Sequence, residues 1–224
     1  MGERIREWLN DVFGFGLSLR SPQAANRPMP VAALLCRLFL LTGWLRAVGA
    51  KLLADDWWSG AQVQAFLADH QPIAIADQIV ESLLRPHPDT VAAVVVAAQL
   101  SIVAGLVFRR TVPIGLTIGA ALNIGFIIGG KVDPSVFYLV LALVVALGRA
   151  EFRRPQSSYR VESIAATVGA AVISIVLVPH IETVHPDHVI EDPAAVLVFL
   201  AWLAVAALWL LESRSRHWTE AVSG

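Results

Sequence analysis

One cysteine, Cys36, is all the thiol this chain has, and 16% of its residues are charged. A single cysteine excludes an internal disulfide and a CxxC dithiol relay, so the chain alone cannot run thiol–disulfide exchange, which needs a second, resolving thiol. Histidine is absent from the long apolar stretches, which removes the paired axial ligands of a membrane haem. Aspartate and glutamate are absent from the same stretches, which argues against a proton pump with an intramembrane acid relay. The net charge of −1 forms no basic patch, so no nucleic-acid partner is expected.

Apolar residues make up 56% of the 224 and gather in six blocks: Val31 to Leu53, Val91 to Phe108, Val112 to Ile128, Pro134 to Gly148, Ile164 to Val178 and Ala194 to Leu211. Crossing the hydrocarbon takes about 20 residues. The first block is full length, and the fourth is short enough to need flanking residues or local thinning of the bilayer. Backbone polar groups in lipid must be satisfied within the segment, so blocks of this length are read as helices. The expected fold is an all-α polytopic membrane bundle of six transmembrane helices.

Arginine and lysine orient it. Arg4, Arg6, Arg20 and Arg27 precede the first block, Arg109 and Arg110 follow the second, Arg149, Arg153, Arg154 and Arg160 follow the fourth, and Arg214 and Arg216 follow the sixth, whereas the opposite loops hold only Arg85 and Lys131. The positive-inside rule then places both termini in the cytoplasm of a multi-pass protein of the cell membrane. A cleaved signal peptide does not fit, because the first apolar block begins after thirty polar residues, is too long and contains arginine.

The segments between blocks carry their own patterns. Residues 1–30 form an amphipathic cytoplasmic segment in which Ile5, Trp8, Leu9, Val12 and Phe13 make an apolar stripe suited to an interfacial anchor. In the outer loop, residues 54–89, Val63, Phe66 and Leu67 and then Ile75, Ile79, Val80, Leu83 and Leu84 recur at helical spacing, which predicts two short amphipathic helices on the bilayer or over the bundle mouth. The last outer loop is read first as an irregular, solvated acidic loop broken by Pro179 and Pro186. His180, His185 and His188 become candidate ligands for zinc or copper only if that loop folds back on itself. Residues 212–224 make a cytoplasmic tail.

Polar groups at membrane depth are the leads to function. Arg37, Arg46 and Lys51 stand inside the first block, Gln99 in the second and Asn123 in the third. A cation among lipid tails costs about 3 kcal/mol or more, so it persists where it snorkels, meets a partner or lines a wet cavity. Arg37, Trp44 and Lys51 recur every seven residues on one helical face, and Arg46 falls about half a turn away. Arg37 and Lys51 lie near the ends, where snorkelling is open to them. Arg46, nearer the middle, is the leading candidate. With no acid in the blocks, these cations must turn to backbone carbonyls, to Gln99 and Asn123, to Asp55 and Asp56 at the outer mouth, or to an anionic or carbonyl-bearing ligand. Gly115, Gly119 and Asn123 follow one another at intervals of four, a small-residue face for close helix packing that ends in an amide.

Several of these residues also carry a family resemblance. Arg37-Leu-Phe, Gly43-Trp44, Val48-Gly49-Ala50-Lys51-Leu52, the second-block ending Gly105-Leu-Val-Phe-Arg109-Arg110, Asn123 to Gly130, and Phe137 to Gly148 together resemble the DoxX/DoxD-like membrane proteins, over Val31 to Arg149. The resemblance implies a four-helix membrane unit at 31–149, associated with redox enzymes such as the small subunit of thiosulfate:quinone oxidoreductase and with thiol stress responses. The two apolar blocks within 150–211 extend past that unit. The expected function is a redox-associated integral membrane subunit that binds a quinone or an acidic small molecule near Arg37, Arg46, Lys51, Gln99 and Asn123, with a partner redox enzyme supplying electrons. The alternatives are a non-catalytic scaffold that docks a partner protein and, behind it, a small-solute carrier.

Overall fold

A computed structural model describes residues 31–70, 72–153, 159–182 and 191–223. The expected amphipathic stripe of residues 1–30, His185 and His188 lie outside the described residues. Within them the chain is all-helical, with no strand.

The helices are α1 (Val31–Leu52), α2 (Ala61–Asp69), α3 (an α-turn, Asp77–Ile79, running on as π-helical Val80–Leu84), α4 (Pro88–Val107), α5 (Val112–Ile128), α6 (Ser135–Arg153), α7 (Arg160–Leu177) and α8 (Pro193–Ser223). Prolines open α4 and α5 within the first turn, where a missing backbone N–H costs nothing. Four segments are long and apolar enough to cross a membrane, Val31–Leu52, Pro88–Val107, Arg160–His180 and Pro193–Ser213, and the apolar parts of α5 and α6 are shorter. This is a membrane protein. Helix α8 continues to Ser223, through most of the segment 212–224 expected as a tail.

Helices α1, α4, α5 and α6 pack in a closed ring, each against the next and α6 back against α1. At the α4–α5 crossing, Gly105 and Gly115 bring the two backbones into direct contact. Helices α7 and α8 form a hairpin packed chiefly on itself, and α8 packs on the ring through a cluster of Ile127, Val132 and Val196.

Between α1 and α4 the chain folds back over one end of the ring. Trp57 donates its indole N–H to the Ala92 carbonyl at 3.2 Å. Gly60, at φ +76°, then starts α2 in a space where a Cβ would strike the backbone of Pro88 and Asp89. Helix α2 buries Val63 and Leu67 with Trp57, Val80, Ala92, Val95 and Val96, forming a roof. Helix α3 behaves differently. It buries Val80 but leaves Ile79 and Leu83 exposed, in line with Ile75 ahead of it. Of the two amphipathic helices expected here, the first covers the bundle and the second presents an uncovered apolar edge.

The opposite end of the ring is closed by arginine. Arg37 is fully buried, and its guanidinium donates from Nε to the Leu106 carbonyl at 2.7 Å and from Nη2 to the Val107 carbonyl at 2.8 Å. These are carbonyls at the C-terminus of α4, which have no partner within their own helix. Arg149 donates to the Arg109 carbonyl at 3.1 Å in the turn that follows. Thr111 serves the same turn, donating to the Gly105 and Phe108 carbonyls.

The hairpin holds buried acids just beyond the apolar blocks. Asp192 accepts from the backbone N–H groups of Ala194, Ala195 and Glu182 at 2.7–3.0 Å, capping α8 ahead of Pro193. Glu212, one residue past the last apolar block, accepts the Tyr159 N–H at 2.7 Å ahead of α7.

Candidate functional site

Under the α2 roof, the four ring helices enclose a cavity of about 380 Å³. Each helix supplies one stripe. Along α1, Trp44, Ala47 and Lys51 line it at a spacing of three and four, and along α4, Val91, Val95 and Gln99 do so at intervals of four. Helix α5 adds Asn123 and Phe126, and α6 adds Ser135 and Tyr138 from its first turn. Phe66 and Leu67 of α2 line it from above, with Gln62 and Val63. Trp57 and Lys131 come from the connections.

The walls are aromatic. Trp44 and Tyr138 lie with ring centroids 5.4 Å apart, and Phe66 and Phe126 pair at 6.2 Å. Tyr138 reaches this position because α1 carries glycine opposite it: a Cβ at Gly43 would collide with the Tyr138 hydroxyl. The Lys51 ammonium sits 4.8 Å from the centroid of the Trp57 ring, a cation–π contact.

Polar capacity inside this aromatic box is unevenly spent. Asn123, 3% exposed, donates to the Gly119 carbonyl one turn back at 2.7 Å. Gln99, 2% exposed, has a side-chain oxygen that accepts no hydrogen bond. Leaving such a group unsatisfied costs about 1–3 kcal/mol, so it stands ready for a donor brought in by a ligand. Two lysines line the cavity and no carboxylate does. Among the described residues the ion pair formed is Arg85 with Glu81, in the α3 segment, so neither lysine is neutralised by a carboxylate. Asp56, expected as a partner at the mouth, instead accepts from Gln62 Nε2 at 2.8 Å.

Of the five residues expected to form the site, Lys51, Gln99 and Asn123 come together. Arg37 does not join them. It shares their face of α1, but fourteen residues separate it from Lys51, about 21 Å of helix, and its guanidinium is engaged at the far end of the ring. Arg46 points away on the exposed side of α1 and lines none of this cavity. The roof was expected as an amphipathic helix over the bundle mouth, but the aromatic walls were missed in the sequence. Trp44, midway between Arg37 and Lys51 on the seven-residue stripe, was the one local signal for them.

The remaining candidates resolve simply. His180 ends a short 3₁₀ turn, Val178–His180, and the nearby Asp192 is committed to capping. Among the described residues no three His, Cys, Asp or Glu side chains gather as a metal site. Cys36 packs partly buried against the apolar cluster around Leu40, Trp44 and Ile102.

No protein-family model, curated protein or solved structure matches this chain. The reading of the site therefore rests on its own chemistry: an aromatic-walled cavity with one unused acceptor, an amide, and two cations.

Proposed function

We propose that the chain is a redox-associated membrane subunit that holds a quinone ring in the cavity under α2, while a partner enzyme supplies the electrons. The observation that carries this reading is the convergence of Lys51, the unsatisfied Gln99 oxygen and Asn123 on one aromatic box. A flat ring stacks on Trp44, Phe66 or Tyr138. A carbonyl oxygen that gains negative charge on reduction is stabilised by the Lys51 and Lys131 ammonium groups in a low-dielectric site, and the hydroxyl of the reduced form donates to Gln99. A quinone carries two electrons and two protons, which gives this site both an oxidised ligand that accepts hydrogen bonds and a reduced one that donates them.

The same proposal takes all six apolar helices as spans of the cell membrane, with both termini cytoplasmic, following the Arg and Lys distribution. It takes the α1, α4, α5, α6 ring as the four-helix unit of a DoxX/DoxD-like protein, with α7 and α8 added to it. Titrating a short-chain quinone against the protein in lipid nanodiscs, with fluorescence of the cavity tryptophans Trp44 and Trp57 as readout, tests the site. Saturable quenching is expected from the quinone and from its quinol, the quinol's reduced by Gln99→Leu; non-saturating quenching equal in both proteins would dismiss the ligand.

A second reading, a docking scaffold, is favoured by the exposed apolar edge of Ile75, Ile79 and Leu83. A stable partner that copurifies with the wild type, and is lost on changing all three to serine while quinone titration is silent, would select it.

A further inference from the structure

A second cavity, of about 690 Å³, lies between the ring and the α7–α8 hairpin. Helices α5 and α6 form one wall and α7 and α8 the other, with Ile73 and Ile75 closing it at the α2 end. The Ile73 N–H is fixed to the Ile128 carbonyl at 2.9 Å, which seats that closure on the end of α5. Along α5 the lining runs from Leu116 to Ile128, a rise of about 18 Å. Half of a bilayer's hydrocarbon core is about 15 Å. The cleft therefore has the depth of one leaflet.

Its lining is hydrocarbon throughout except Thr117, whose hydroxyl is already given to the Pro113 carbonyl at 3.0 Å. Water entering it would find no partners. The Ile127, Val132 and Val196 cluster joins hairpin to ring at the α2 end, and the cleft runs along the walls from there to Leu116 and Ala146 on the ring and Ala204 on the hairpin. A membrane-spanning helix of a partner would need about 30 Å of groove, and the lining along α5 covers about 18 Å.

We propose that this cleft is a binding site for an acyl chain of a membrane phospholipid, which completes the packing between the ring and the hairpin. The site shares no lining residue with the cavity under α2, and its occupancy does not depend on a quinone being bound there.

The test uses the full chain in phosphatidylcholine vesicles doped with a phospholipid carrying a photoreactive diazirine at mid-chain, with adducts mapped by peptide mass spectrometry. Adducts concentrated on Leu143, Ile173 and Leu200, well above those on outward residues such as Val168 and Leu100, which are 60% and 47% exposed, are the expected result. Adducts distributed in proportion to exposure, or protein–protein dimers in their place, would overturn the proposal. Ala142→Phe and Ala201→Phe each push a ring into the cleft. They should abolish the excess labelling and remove the phospholipid that stays with the wild type in native mass spectra after detergent exchange. Wild-type levels of both in a folded variant would also overturn it, and the wild-type map stands by itself if neither variant folds.

Discussion

The two ends of the ring both bury polar side chains and treat them in opposite ways. At one end the Arg37 guanidinium is engaged by two carbonyls at the end of α4, a helix terminus that would otherwise lack partners. At the other end, under the α2 roof, the Gln99 oxygen accepts nothing and two lysines, one of them over the Trp57 ring, line the cavity without a carboxylate. A buried cation is therefore a poor marker of a ligand site by itself. Hydrogen-bonding capacity left open inside a cavity is the better one, because the fold gains nothing by leaving it open.

The contrast predicts how each end breaks. Arg37→Met strips charge-assisted hydrogen bonds from one buried and one part-buried carbonyl, each worth about 1.5–3 kcal/mol, so it should lower stability by about 3 kcal/mol or more in a detergent unfolding series and take ligand binding down only with the fold. Gln99→Leu replaces an unsatisfied amide by an apolar group of similar size. Its melting temperature should hold or rise, while quinol affinity falls about tenfold, the equivalent of about 1.4 kcal/mol, in a fluorescence titration. A Gln99→Leu variant that loses stability in parallel with Arg37→Met would erase the distinction between the two ends.

Smaller effects sharpen it. Lys51→Met should weaken quinone binding about threefold to tenfold with little change in unfolding, because its ammonium is held by the Trp57 ring and not by an ion pair. Arg46→Gln should leave the titration as it is, since the side chain is exposed on the far side of α1 and lines none of the cavity.

The apolar blocks made the helices legible: the third matches α5 residue for residue, and the α2 and α3 spacings appear as helical turns. The seven-residue stripe on α1 also placed Arg37, Trp44 and Lys51 on one face. What a helical wheel discards is depth. Arg37 and Lys51 share a direction yet sit about 21 Å apart, so one face served two unrelated ends. Arg46 drew attention for its place near mid-helix, and only the packing of α4 and α6 on α1 decides that it faces outward. The burial of two acids outside the blocks was not legible for a related reason. Glu212 and Asp192 flank apolar blocks without interrupting them, and their backbone partners lie on the neighbouring helix or in the connecting loop.

A map of the protein with a quinone analogue bound tests the central claim most directly. The account predicts ring density between Trp44, Phe66 and Tyr138, with one oxygen at hydrogen-bond distance from the Gln99 amide and another facing Lys51 or Lys131. Density beside Arg37 or Arg46 with the roofed cavity filled by water would contradict it.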